Sequence, residues 1–281
     1  MKSAGYYTAK SIFSNTLVHL LLLAVAASCV FPLLWMVVSS FKTQTTIFDG
    51  SFWPKQFHFE NYLIACRQGN FGRYFLNSIF YTVSVVAGIV LVSSLAAYAF
   101  SRLRFPGRNA MFYTFMAAMM IPIPGSFVAL YILLNTLHLR DTAAGYILCM
   151  INVGLSTSIF LLKTFYDKMP HELEDAARID GCSKLGIWWH VILPLSAPAL
   201  AVVIIFNTLN VWNEFILALI IFDSRDMMPL QVALQMFQGE FVTNYPLLMA
   251  ALTITALPVI ALYMVMQKYL IKGVTQAVLV G

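Results

Sequence analysis

Few side chains in this sequence have the types and spacing that chemistry needs. His19, His58, His138, His171 and His190 form no His-Glu-x-x-His pair, and there is no glycine-rich phosphate loop. No serine sits in a Gly-x-Ser-x-Gly turn. Cys29, Cys66, Cys149 and Cys182 lie too far apart for a metal-type spacing, so neither a metal site nor a disulfide framework is expected. Two groupings remain. One is the acid-rich run Glu172-Leu173-Glu174-Asp175-Ala176-Ala177, followed by Gly181. The other is Asn207, Asn210, Asn213 and Glu214, whose three- and four-residue spacing puts them on one helix face with Val203 and Leu217. Amides and a carboxylate in an apolar helix either glue neighbouring helices together or line a polar path.

The elements that must position these groups follow from composition. The chain has 281 residues, 60% hydrophobic and 10% charged. A soluble domain carries about 25% charged residues. A soluble enzyme and a disordered chain are both excluded, leaving an integral membrane protein with several spans. Stretches free of Asp, Glu, Lys and Arg place spans near 14–38, 74–98, 110–133, 142–163, 196–221 and 246–267, with Glu214 the one charge inside apart from Lys163 at the end of the fourth. The fold class is an all-α, polytopic membrane bundle of six transmembrane helices. Ala26-Ala27-Ser28-Cys29 faintly resembles a lipoprotein cleavage site, but the apolar run continues to Val38, so the first span is expected to be retained. Pro32 kinks it. Pro122, Pro124 and Gly125 bend or unwind the third span, either as a simple kink or as backbone lining a path.

The net charge of +5 does not point to nucleic acid. In a membrane protein, excess Lys and Arg marks the cytoplasmic loops. An even number of spans puts both termini on one side, and that side holds eleven of the 17 basic residues. Both termini are therefore expected in the cytoplasm. Residues 1–70 hold a tail, the first span and an aromatic-rich outer segment; 71–268 form the core; 269–281 form a cytoplasmic tail.

Residues 164–195 make the largest charged segment between spans. Pro170 suits a first helical position. The acidic residues suit a helix start, Gly181 a helix stop, and Ser183 the cap of a second helix, while Pro194 opens the next span. The result is a helix–glycine–helix elbow on the cytoplasmic face. It is either an inert connector or a knob for a partner's groove, with Ala176 and Ala177 letting backbones approach; these residues alone leave both open.

Asp175-Ala176-Ala177, three residues, Gly181, nine residues and Val191-Ile192-Leu193-Pro194 resemble the Glu-Ala-Ala loop of binding-protein-dependent ABC importer permeases. Asp175 stands for Glu and Val191 for Ile, and Glu174 could serve as the acid instead. Phe31-Pro32-Leu33-Leu34-Trp35-Met36, Ser39-Ser40-Phe41-Lys42, Asn61-Tyr62, Phe75-Leu76-Asn77-Ser78, Phe105-Pro106-Gly107-Arg108 and Trp212-Asn213-Glu214-Phe215 extend the resemblance over nearly the whole chain. They are most similar to the second membrane subunit of maltose-type sugar importers.

The resemblance implies a type I ABC importer permease in the plasma (inner) membrane. It implies a second permease as heterodimer partner, a cytoplasmic ATPase dimer and an extracytoplasmic substrate-binding protein. ATP and Mg belong to the ATPase, so this chain binds no cofactor and is not an enzyme. The elbow residues Glu174, Asp175, Ala176, Ala177, Gly181, Val191, Leu193 and Pro194 would couple to the ATPase. Asn210, Asn213 and Glu214 are candidates for a path that carries a sugar or oligosaccharide. Lys272 and Gly273 match a tail that reaches the ATPase in relatives, although Gln276–Gly281 departs from the usual glycine-rich ending. A polyol or glycerol phosphate is the alternative substrate. A secondary transporter or channel is the alternative class, but it calls for ion-binding carboxylates or an internal repeat. An intramembrane enzyme lacks its nucleophile and base.

Overall fold

The computed structural model describes the backbone of residues 3–67, 70–120, 126–237 and 243–279, and the side chains of these except 3–14, 118–120, 236 and 269–279. Among the described residues the chain is helical and has no β-strand. It divides into two compact units, Met1–Gln68 with Phe237–Ile254, and Gly69–Met236 with Thr255–Gly281.

The first unit is led by α1, Ser3–Ser39, which runs through Pro32 without a break. Its residues 15–34 are exposed although almost all are apolar, as lipid contact requires. After α1 the chain folds into a small knot. The Asn61 amide, on α2 (Glu60–Arg67), donates to the carbonyls of Ser40 (2.8 Å) and Lys42 (2.9 Å). Tyr62 Oη meets Ser40 Oγ at 2.6 Å, and Phe41 packs against Phe57, Phe59 and Tyr62. The buried Lys42 ammonium reaches the Ser51 carbonyl and lies 3.8 Å from Asp49. Phe41, Lys42, Asn61 and Tyr62, noted in the sequence only as family-like, are what tie this turn.

The second unit is built on α3 (Phe71–Arg102), α6 (Ala143–Asp167) and α10 (Ala197–Trp212). The core holds Tyr81, Val85, Ile89, Tyr146, Met150 and Val203. Gly154 lets the three helices close: a Cβ there would run into Asn207 Oδ1 and Ile89 Cδ1. At one end Tyr81, Tyr146 and Phe222 stack, and the Tyr81 hydroxyl donates to the Met227 carbonyl at 2.7 Å. There the Asp141 carboxylate accepts from the backbone N–H of Asp223 (3.0 Å) and Ser224 (2.9 Å) and from the Ser224 hydroxyl (2.5 Å). Arg140 adds an ion pair to Asp223 at 2.6 Å.

Four helices are long and apolar enough to cross a membrane: Asn15–Ser39, Phe71–Arg102, Ala143–Asp167 and Tyr245–Lys268. A fifth is reached if Lys184–Leu195 and Ala197–Trp212, bent by 78°, count as one. Six unbroken helices are therefore not present among the described residues. The third expected span consists of α4 (Arg108–Met120) and α5 (Ser126–Thr136). Pro122, Pro124 and Gly125 lie outside the described residues. The fifth is split: α10 ends at Trp212, and a second apolar helix, Ile216–Ile221, follows. The last helix, Tyr245–Leu279, passes Lys268 without a stop, so Lys272 and Gly273 lie on it; their side chains are outside the described residues.

Two outcomes follow. Gly154→Val should destabilise the chain by about 1–3 kcal/mol through overpacking, read as a lower melting temperature in detergent. The Ser224 hydroxyl first, then the two N–H groups and the Arg140 charge, hold the Asp141 carboxyl below the ordinary carboxylate range. Its contribution is present above the unfolded value of about 3.9 and is lost as pH falls through the lower folded one. Asp141→Asn should therefore flatten the melting-temperature profile below about pH 4.

Candidate functional site

The elbow begins with α7, Glu172–Ile179. Pro170 does not occupy the first helical position but stands two residues before it, because the His171 carbonyl already accepts from the N–H groups of Glu174 (3.0 Å) and Asp175 (3.1 Å). Glu172, Glu174 and Asp175 fill the first turn, where unpaired N–H groups favour negative charge. Gly181 ends the helix with φ +83°, a left-handed conformation that Cβ-bearing residues resist. It lets the Cys182 N–H return to the Ala177 carbonyl at 2.9 Å. Ser183 Oγ then accepts from the Gly186 N–H at 3.2 Å and caps α8, Lys184–Ile187. A π-helical turn, Trp188–Ile192, leads into α9, Leu193–Leu195. Pro194 does not open the next long helix. It is exposed within α9, and α10 starts after the bend at the buried Ser196.

The two faces of α7 differ. Glu174 and Ala177 are buried, and Ala177 packs with Ile187, Trp188 and Ile192. Val191 and Leu193 are half-buried against the same core. Asp175, Ala176 and Ile179 face outward, with Ile179 87% exposed. The two acids face opposite ways: Asp175 is outward, paired with Arg178 at 3.1 Å, and Glu174 is inward.

The partner of Glu174 is Arg102, the last residue of α3. Arg102 Nε lies 3.1 Å from Glu174 Oε1, with both side chains almost wholly buried. The same guanidinium donates to the carbonyls of Tyr166 and Met169 (2.7 Å), at and just past the end of α6, and lies 2.8 Å from His171 Nδ1. Beside it the Ser101 hydroxyl donates to Asp167 at 2.6 Å. In the sequence Arg102 counts only as one basic loop residue. A polar cleft of about 600 Å³ opens here, rimmed by Arg104, Arg178 and Lys184.

The polar stripe of the fifth span does not form one face. The buried Asn207 amide donates to Ser158 Oγ (2.9 Å) and the Val203 carbonyl (2.8 Å), so it is interhelical glue. α10 ends at Trp212, so Asn213 and Glu214 lie past the helix that carries Asn207 and Asn210. Asn210 is exposed. Asn213, also exposed, bonds back to the Leu209 carbonyl at 2.8 Å and accepts from Gln231 at 3.2 Å. Glu214 caps α11, the second half-helix Ile216–Ile221, accepting from the N–H groups of Leu217 (2.5 Å) and Ala218 (3.1 Å). The Tyr146 hydroxyl adds a contact at 3.4 Å. Among the described residues no cluster of His, Cys, Asp and Glu could hold a metal.

Apolar helices carrying a structured polar elbow define an integral membrane subunit. Residues 4–276 match the family described as "Binding-protein-dependent transport system inner membrane component", and the chain belongs to that family. It is a multi-pass inner-membrane permease subunit of an ABC importer, not an enzyme; the ATPase of such systems is a separate subunit. It is 33% identical to the diacetylchitobiose uptake system permease protein NgcG of Streptomyces coelicolor, over 92% of this chain and 86% of that one. It is 32% identical to the arabinooligosaccharides transport system permease protein AraQ of Halalkalibacterium halodurans, over 89% and 91%. Its fold matches a chain from the crystal structure of a bacterial ABC transporter involved in the import of the acidic polysaccharide alginate. The TM-score there is 0.82, at 24% identity, covering 93% of this chain and 97% of that one.

If Glu214 acts as a cap, Glu214→Ala should cost about 0.5–2 kcal/mol in thermal stability, as lost caps do. Uptake per folded molecule should be nearly unchanged.

Proposed function

We propose that this chain forms half of the translocation pathway for a sugar or oligosaccharide and is driven by a separate cytoplasmic ATPase docked on the elbow. One observation carries the docking. Ile179, the most apolar residue at the end of α7, stands 87% exposed among charged neighbours, beside a glycine turn with open space around it. A water-facing isoleucine is stabilised by a partner's apolar pocket and by nothing in its own chain. Asp175, Ala176 and Gly181 belong to the same outward surface, while Glu174, Ala177, Val191 and Leu193 hold it from beneath.

The oligosaccharide reading is supported by the similarity to the diacetylchitobiose and arabinooligosaccharide permeases. The partners are a second permease, an ATPase dimer that holds ATP and Mg, and an extracytoplasmic binding protein. The chain crosses six times, with α4 and α5 as one broken span and α10 with α11 as another, and both termini lie in the cytoplasm. Asn210 and Asn213 offer exposed amides at the break, suited to a solute's hydroxyls. Glu214, folded into its cap, supports that surface rather than meeting the solute. Lys272 and Gly273 continue toward the ATPase on the last helix.

The test is purification of the tagged chain in mild detergent, with the co-purifying proteins identified by mass. The wild type should bring down an ATPase and a second permease. Ile179→Glu and Gly181→Trp should keep the second permease, lose most of the ATPase and abolish uptake. A wild-type chain that transports alone, or variants that transport normally, would sink the docking.

A further inference from the structure

Three chain segments meet on one guanidinium. Arg102 ends α3, the Tyr166 and Met169 carbonyls mark the end of α6, and Glu174 sits on α7. We infer that Arg102 is a positioning residue: through Glu174 it joins the elbow to the ends of α3 and α6 as one rigid body, so that a displacement imposed on the elbow is delivered to both helices. The inference rests on the docking reading above.

The residues argue for a mechanical role. An eight-residue helix is not stable by itself, and α7 touches the core through little besides Ala177 and Glu174. Its chain connections are a short turn at 168–171 on one side and the Gly181 turn on the other. Both are places where backbone dihedrals can absorb rotation. Without a cross-link, a push on α7 would rock it about these turns. Arg102 supplies the cross-link. One guanidinium nitrogen, Nη2, donates to the Tyr166 carbonyl in the last turn of α6 and to the Met169 carbonyl just past it, Nη1 lies 2.8 Å from His171 Nδ1, and Nε faces the Glu174 carboxylate. An ammonium offers one centre and cannot meet the carbonyls and the carboxylate from separate nitrogens of one plane. Ser101 to Asp167 adds a second tie between α3 and α6, but none to α7. Arg178 lies 3.7 Å from Glu174 on the same helix and so ties α7 only to itself. The link from elbow to helices therefore runs through Arg102 and Glu174. Buried charge pairs are poor sources of net stability against apolar substitutes, so a pair kept here is better explained by fixing one geometry.

The experiment uses the whole complex (both permeases, ATPase and binding protein) in proteoliposomes. Solute imported and ATP hydrolysed are measured together. Glu174→Gln removes the charge and keeps the shape; Arg102→Lys keeps the charge and removes the fork. Both variants should assemble with a normal amount of ATPase and hydrolyse ATP. Each should import about five-fold fewer solute molecules per ATP or worse, the low end of typical site-to-site coupling. An unchanged ratio would overturn the inference, even if both rates fall together. So would loss of the folded chain in both variants, because that assigns the pair to stability alone. An ATPase that never binds the wild type would instead overturn the docking reading.

Discussion

A charged group taken out of water needs an opposite charge or hydrogen-bond partners beside it, and this condition governs the end of the second unit where α3 stops and α7 begins. Arg102 is buried where α3 stops, and only the ends of α6 and α7 bring it carbonyls and a carboxylate. Glu174 has to face inward as a consequence. Asp175, one step round the helix, then has to face out, and Ile179 with it. The orientation of the whole outward surface of the elbow is therefore set by one pairing.

The opposite end obeys a similar rule with weaker partners. Asp141 gathers two backbone N–H groups and a hydroxyl from Asp223 and Ser224, and Tyr81 reaches the Met227 carbonyl. Between the ends, close packing at Gly154 leaves α3, α6 and α10 little freedom to slide. A body clamped at both ends and dense in the middle is suited to moving as a unit.

The break at Asn213–Phe215 gives a different use of polar groups. Splitting a membrane helix frees backbone N–H groups that lipid cannot satisfy. Glu214 takes two of them, and Asn213 turns back to the Leu209 carbonyl. From sequence an acid in a span is either a structural group or the lining of a path; its oxygens here accept from the N–H groups of Leu217 and Ala218.

Local chemistry was legible at the elbow's stop and cap, but not at Pro170 and Pro194. Charge-free runs gave the apolar helices, and the helix–Gly181–Ser183 elbow formed with the stop and cap its residues call for, because caps and turns act within a few positions. Pairings distant in sequence were not legible. Arg102 with Glu174, Asn207 with Ser158, and Asp141 with Ser224 are each brought together by helix packing, which periodicity does not encode. Two adjacent acids are equivalent to a sequence pattern; they differ only once a buried cation from another helix lies beside one of them. The sequence by itself determined that the chain is built of apolar helices and where the elbow turns. The tertiary structure decided which side of that elbow is buried and which is exposed, because the energy of a buried charge depends on what surrounds it in space.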